Sequence, residues 1–363
     1  MSKRFWSILL AAVLLCCPVG LVWSGTQASA KELWESKVIA YDDIEDIVDG
    51  SLDFSGQSSA INQSIAALKQ SQQSLNKLSQ QLSSAAAQLP QGSTLADMLN
   101  GLQTMTQSLS AQLTSTSNSL SQSMVQIDQA RNQVVIGAKN LYIAYNSLVD
   151  QQDELRRSLD VFDKNLAASQ KQYELGMITA LDLENTKSAR NTISSGIDTM
   201  DLEITALKRS FNTLIGRNYN QGLTIKSLPQ PDTYYVEKIH FSDDLEDAYN
   251  NYISWGGSSS VPSNQENFDE EKGSFGASFR KLYENIGDKQ RLLTNAQATL
   301  ALEQKNYDAS LKKYQLGMLS ELALVSAQDQ LDTQKAAVRT AETNLFSAIE
   351  QYKWALEYGI ISE

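Results

Sequence analysis

Apolar residues return at alternating intervals of four and three along most of this sequence, and only 5 prolines interrupt its 363 residues. A stripe with that spacing lies along one side of an α-helix and is buried when a second helix packs on it. Proline ends or kinks such helices, so its scarcity favours long helices over a compact sheet fold. The first stripe runs through Ile61, Ile65, Leu68, Leu75, Leu82 and Leu89, with Gln72, Ser79 and Ala86 filling the intervals, and stops at Pro90-Gln91-Gly92-Ser93. Before it, the chain from Lys31 to about Gln57 shows one short acidic helix candidate, Asp42 to Val48.

A longer stripe follows through Leu102, Met105, Leu109, Leu113, Leu120, Met124 and Ile127, then Val134, Ala138, Leu141, Tyr145, Leu148, Leu155, Leu159, Phe162, Leu166 and Tyr173. One helix over 94–175 would be about 120 Å long at 1.5 Å per residue. After Gly176 a third helix carries Ile193, Ile197, Met200, Ile204, Leu207, Phe211 and Leu214 and ends at Gly216. Residues 217–276 hold Pro229, Pro231, Pro262, the stretch Trp255 to Ser260 and the acidic run Asp269 to Glu271, and read as a mixed linker. A fourth helix, from about Ala277, repeats every seven residues through Phe279, Ile286, Leu293, Leu300, Tyr307 and Tyr314. A fifth, from about Ser320, carries Leu331, Val338, Leu345, Ile349, Tyr352 and Leu356. Short breaks at Gly92, Gly176 and Gly317 predict antiparallel hairpins in an all-α, coiled-coil fold.

Composition narrows the function. Thirty basic against 42 acidic residues, a formal charge of −12, argues against nucleic acid, whose binding rests on Lys and Arg. One histidine, His240, and two cysteines, Cys16 and Cys17, leave no ligand stock for zinc or an iron–sulfur site, so no metal and no cofactor are expected. His240 reads as a surface residue, and the acidic clusters Asp243 to Asp247 and Asp269 to Glu271 lack calcium-loop spacing. No nucleophile triad, phosphate loop or nicotinamide fingerprint is present, so enzyme activity is not expected.

Residues 1–30 read as a secretory signal: Lys3 and Arg4, an apolar run from Phe5 to Trp23, then Ala28-Ser29-Ala30 as a cleavage site. Cleavage would remove both cysteines and leave a domain stabilised by packing without disulfides. Retention of the apolar run as a membrane anchor is the alternative. Leu14 and Leu15 stand where a lipobox before Cys16 wants small residues.

The chain also repeats itself. Tyr173-Glu174-Leu175-Gly176-Met177 returns as Tyr314-Gln315-Leu316-Gly317-Met318, and the register holds through Leu181 against Leu322 and Leu183 against Leu324. In each copy a helix ends on a glycine able to adopt a left-handed cap, and another helix runs back. With Tyr173, Gly176, Thr179, Asp182 and Leu183 in one copy and Tyr314, Gly317, Ser320 and Leu324 in the other, the sequence resembles the TolC-like outer-membrane efflux family over most of residues 130–359.

That resemblance implies three protomers forming an α-helical tunnel that continues into a β-barrel. It implies that the Tyr-x-x-Gly turns form the narrow end, which meets a periplasmic adaptor serving an ABC or other inner-membrane transporter, and that Tyr314 and Asp182 are neighbours in a polar link holding the aperture shut. The organisation expected is a signal over 1–30, a first helical repeat over 31–216 with a hairpin turn at 90–93 and a tip at 176–179, an equatorial linker over 217–276, and a second repeat over 277–363 with its tip at 317–320. The sequence departs from the family pattern at Leu319, where a basic residue can sit, and at Ala323, the counterpart of Asp182. It shows no barrel strands of about ten alternating residues, and the second half lacks the upper hairpin that residues 61–125 give the first. Between Lys77 and Asp128 the only charged residue is Asp97. The function expected is a passive export duct in the cell envelope, in the outer membrane by resemblance or extracytoplasmic in a single-membrane bacterium. The alternative is a non-conducting structural or interaction coiled coil.

Overall fold

The structure is a computed structural model that describes residues 37–52, 54–87, 94–254 and 265–361. The signal with Cys16 and Cys17, the turn at 90–93, Trp255 to Ser260 and Pro262 lie outside the described residues. Helices dominate: α1 (Ile44–Leu52), α2 (Phe54–Ala87), α3 (Thr94–Glu174), α4 (Ala180–Leu214), α5 (Thr233–Glu237), α6 (Phe241–Ser254), α7 (Gln265–Gln315) and α8 (Glu321–Tyr358). Two-residue strands β1 (Val38–Ile39) and β2 (Thr224–Ile225) pair in parallel and fasten the start of the described chain to the linker after α4. Among the described residues no helix is long and apolar enough to cross a membrane.

The 81-residue α3 is the spine. Along its first half it packs antiparallel to α2. Ser58 bonds Asp128, Gln72 bonds Thr114 and Ser110 bonds Asn76, so each advance along α2 is matched by an equal retreat along α3. Its second half packs against α4, through Arg190 to Asp163 at 2.8 Å and Gln152 to Asp201 at 2.6 Å. It also meets α8, through Arg339 and Asp150 at 3.6 Å. α7 and α8 form the matching antiparallel pair of the second half.

Two cores fill the middle of the rod. In the first, Ile39, Ile44 and Val48 pack with Val135, Ala138 and Tyr142 of α3, Phe211 of α4 and Trp354 of α8. In the second, Tyr249 of α6 packs with Phe275, Phe279 and Ile286 of α7 and with Leu345, Ile349 and Tyr352 of α8. The sequence stripes at Ile197, Ile204, Phe211, Phe279, Ile286, Leu293, Leu331, Leu345, Ile349 and Tyr352 are buried as expected.

Two expectations are corrected. Leu102, Met105 and Leu109 were assigned to the α3 seam but are exposed, and Gln103, Thr106 and Ser110 sit nearer α2 in their place. Counting back from Leu113, Leu109 and Met105 take two successive steps of four. At 100° per residue those steps rotate the stripe by roughly 80° away from the partner. The helix expected from about Ala277 begins at Gln265, inside the segment read as linker. Gly273 and Gly276 disfavour helix there by about 1 kcal/mol each. Phe275 between them offsets this by packing its ring 5.6 Å from Tyr249 and 5.0 Å from Tyr252.

A charged network joins α1 to this waist. Arg131 grips both carboxylate oxygens of Asp49 at 2.6 and 2.8 Å, and Lys139 donates to Glu45 Oε1 at 2.6 Å, as does the Tyr358 hydroxyl at 3.3 Å. Burial pushes the Glu45 carboxyl up, but the Lys139 hydrogen bond and charge, the Arg131 charge and Tyr358 together hold it below its ordinary value of 4.5. A carboxyl lowered on folding stabilises the folded chain above its unfolded pKa, and that stabilisation is lost as pH falls through the lowered value. Glu357 acts in the opposite sense, raised by burial and by the charge of Glu45. Glu45→Gln is expected to cost about 1–2 kcal/mol at neutral pH, the range for a hydrogen-bonded charge partly in water. Urea unfolding of parent and variant should converge as pH drops below 4.5; a gap constant with pH would assign Glu45 a role independent of its charge.

Candidate functional site

The two glycine bends share one geometry. α3 ends at Glu174 and the chain turns at Gly176, with φ +70°; α7 ends at Gln315 and the chain turns at Gly317, with φ +71°. In the first bend the Gly176 amide donates to the Tyr173 carbonyl at 2.9 Å and the Met177 amide to the Gln172 carbonyl at 2.8 Å. In the second, Gly317 donates to Tyr314 at 2.9 Å and Met318 to Lys313 at 2.8 Å. These are the paired bonds of a Schellman cap, which satisfies the last helical carbonyls only when the residue after the cap is left-handed. A Cβ at either glycine would meet nothing within 4 Å, so the backbone angle alone demands glycine there.

Each returning helix is capped by the residue three beyond the glycine. Thr179 Oγ1 accepts from the Asp182 amide at 3.2 Å, while Asp182 Oδ2 accepts from the Thr179 amide at 3.0 Å and from its hydroxyl at 2.7 Å, a reciprocal capping box. The Thr179 side chain and then its backbone hold the Asp182 carboxyl below the usual range. Ser320 Oγ accepts from the Ala323 amide at 3.2 Å, but Ala323 has no carboxylate to return the bond. The departure at Ala323 therefore removes half of a cap.

Both bends lie at the same end of the molecule. Arg339 of α8 meets Asp150 of α3, Asp332 and Val325 line one groove with Asp153 and Lys164, and Leu322 shares another with Phe162 and Gln172. Followed along α8 toward its start, these partners advance along α3 toward Gly176. The second bend thus sits beside the last turns of α3, just short of the first. Within one chain the Asp182 carboxylate is engaged by Thr179, and among the described residues no hydrogen bond joins it to Tyr314.

Large apolar side chains stand exposed at both bends. Leu175 and Leu316 are 75% and 74% exposed, and Met177 and Met318 69% and 73%. Tyr173, Tyr314, Leu181 and Leu322 are exposed beside them. Exposed apolar side chains gathered at one place on a protein surface mark a place of contact with another molecule. The sequence located Tyr173, Gly176, Thr179, Asp182, Tyr314, Gly317 and Ser320 at these bends. It missed the four Leu and Met side chains as a surface, although their placement on either side of each glycine is visible in the repeat.

No family model and no curated protein matches the chain. Among solved structures, it is similar to the outer membrane protein VceC of Vibrio cholerae, with a TM-score of 0.47, 12% identity, and coverage of 66% of this chain and 73% of that one. It is similar to the CmeC outer membrane channel of Campylobacter jejuni, with a TM-score of 0.44, 11% identity and coverage of 71% and 69%. It is also similar to a membrane protein of Pseudomonas aeruginosa, with a TM-score of 0.47, 12% identity and coverage of 94% and 95%.

Proposed function

We propose that this chain is a TolC-like export-duct component of the cell envelope, a passive helical conduit assembled from three copies. In this reading residues 1–30 direct export, the repeats over 31–216 and 277–363 build the wall, and residues 217–276 belong to its equator. The bends at Gly176 and Gly317 meet an adaptor-type protein, and an ABC or other inner-membrane transporter supplies the energy. The observation that carries the reading is the pair of identical Schellman bends at one end of the rod, each flanked by an exposed Leu and Met. A structural rod would have no need for two matched apolar tips side by side.

The test is the mass of the purified chain by light scattering together with negative-stain images. A hollow cylinder of three chains is expected, and a monomeric solid rod would overturn the proposal. Tyr314 and Asp182 are proposed as a closing link between neighbouring copies. Tyr314→Phe leaves both helix caps intact, so it isolates that link. With Cys16→Ser and Cys17→Ser in place and a nitroxide label at Leu316→Cys, the distance distribution between copies should broaden and lengthen in Tyr314→Phe. An unchanged distribution removes the link.

A further inference from the structure

The upper hairpin, α2 with the first half of α3, has the fewest neighbouring elements. Among the described helices α2 packs to any extent only on α3. Across that seam lie Gln72, Ser79, Thr106, Ser110 and Ser117, polar side chains where a self-sufficient coiled coil would place leucine. Beside the seam Leu78, Leu102, Met105 and Leu109 are exposed, Met105 to 69%. The bonds from Gln72 to Thr114 and from Ser110 to Asn76 set a register in which Leu78 lies opposite Ser108, between Met105 and Leu109. Leu78, Leu102 and Leu109 each immediately precede a seam residue, and in an antiparallel pair those positions share one flank. The four side chains form one apolar strip.

We infer that this strip is a contact between copies of the chain, upper hairpin against upper hairpin. The occupant follows from charge. Copies of a chain with net charge −12 repel, and this hairpin, with Asp97 alone between Lys77 and Asp128, is where two of them approach without apposing like charges. A charged face would need an oppositely charged partner. Ser, Thr, Asn and Gln carry donors and acceptors together, so a surface built of them is complementary to a copy of itself. Neutral polar faces also cost less to desolvate than charged ones, and the Leu and Met side chains supply apolar area to bury. The hairpin rises about 50 Å at 1.5 Å per residue, enough length for an interface of ordinary size. The inference rests on the assembly in the proposed function and deepens it by naming one surface through which copies join, at the end away from the bends.

The test uses the full chain carrying Cys16→Ser and Cys17→Ser, so that an introduced cysteine is its only thiol. Under mild oxidation Met105→Cys is expected to form disulfide-linked dimers, and Asn118→Cys, exposed about 140° round the helix from Met105, to remain a single chain. In a second variant, Leu102→Glu, Met105→Glu and Leu109→Glu are combined. Because all three side chains already face water, helical content by circular dichroism should hold while the mass in solution falls to that of one chain. If the triple variant keeps the parent's mass and Met105→Cys cross-links no better than Asn118→Cys, the inference is overturned while assembly through other surfaces stands. A parent that is a single chain at every concentration sinks both this inference and the duct. A single-chain parent that floats with phosphatidylglycerol vesicles, when the triple variant does not, assigns the strip to lipid and also overturns the inference.

Discussion

Gly359→Ala is expected to destabilise the chain by about 2–5 kcal/mol, summing the strain of a left-handed alanine and the cost of an overfilled site. Gly359 caps α8 with φ +62°, and its amide bonds the Ala355 carbonyl at 3.0 Å. A β-carbon there would fall 2.8 Å from Tyr252 Cβ and closer still to that residue's Cα and amide nitrogen. Backbone cannot yield as a flexible side chain does, so α6 must move away from α8. That movement breaks the bond from Asn251 Nδ2 to the Leu356 carbonyl at 2.8 Å and draws Tyr252 off Phe275. Gly176→Ala is the internal comparison: it has a similar φ of +70° but open space around it, so only the backbone cost of about 1–2 kcal/mol applies. Denaturant unfolding of the two variants measures both. Equal losses would show that the Gly359 contact relaxes freely.

Phe279→Ala is expected to cost about 3–5 kcal/mol, the range for deleting a large buried aromatic side chain. Its ring is fully buried at the meeting point of three helices, 4.7 Å from Tyr352 of α8, 5.9 Å from Phe241 of α6 and 6.1 Å from Phe275 of α7. Neighbours held by backbone on three sides cannot collapse into the space, so transfer and cavity losses add, together with the edge and stacking preferences of the rings. The repeat register places Ala138 at the corresponding position of the first half, and Phe211 corresponds to Tyr352. There the volume is supplied instead by Ile39, Ile44 and Tyr142, brought in by β1, α1 and α3. A loss below about 1 kcal/mol for Phe279→Ala would contradict a rigid aromatic centre and point to a loosely packed waist.

These two sites differ in how far sequence alone reaches them. Phe279 stands in a seven-residue stripe, and its burial is legible because any helix with that stripe must cover it. Gly359 ends the last helix, and a cap there is legible as well. Nothing in the sequence says that Tyr252, more than a hundred residues earlier, lies against it. At the bends, Gly176 and Gly317 and their caps follow from residues within one turn. Within one chain the Asp182 carboxylate is engaged by its own Thr179, because a capping partner three residues away is always within reach.

The sequence by itself determined the long helices and the duplicated glycine bends at Gly176 and Gly317. Helix periodicity, glycine handedness and end-capping are each settled by residues a few positions apart. Only the tertiary structure decided that Leu102, Met105 and Leu109 face water, that α7 starts at Gln265 on the strength of Phe275, and that both bends share one end. Those outcomes depend on the rotation and register of α3 against α2, α4 and α8, which are fixed by packing between residues far apart in the chain.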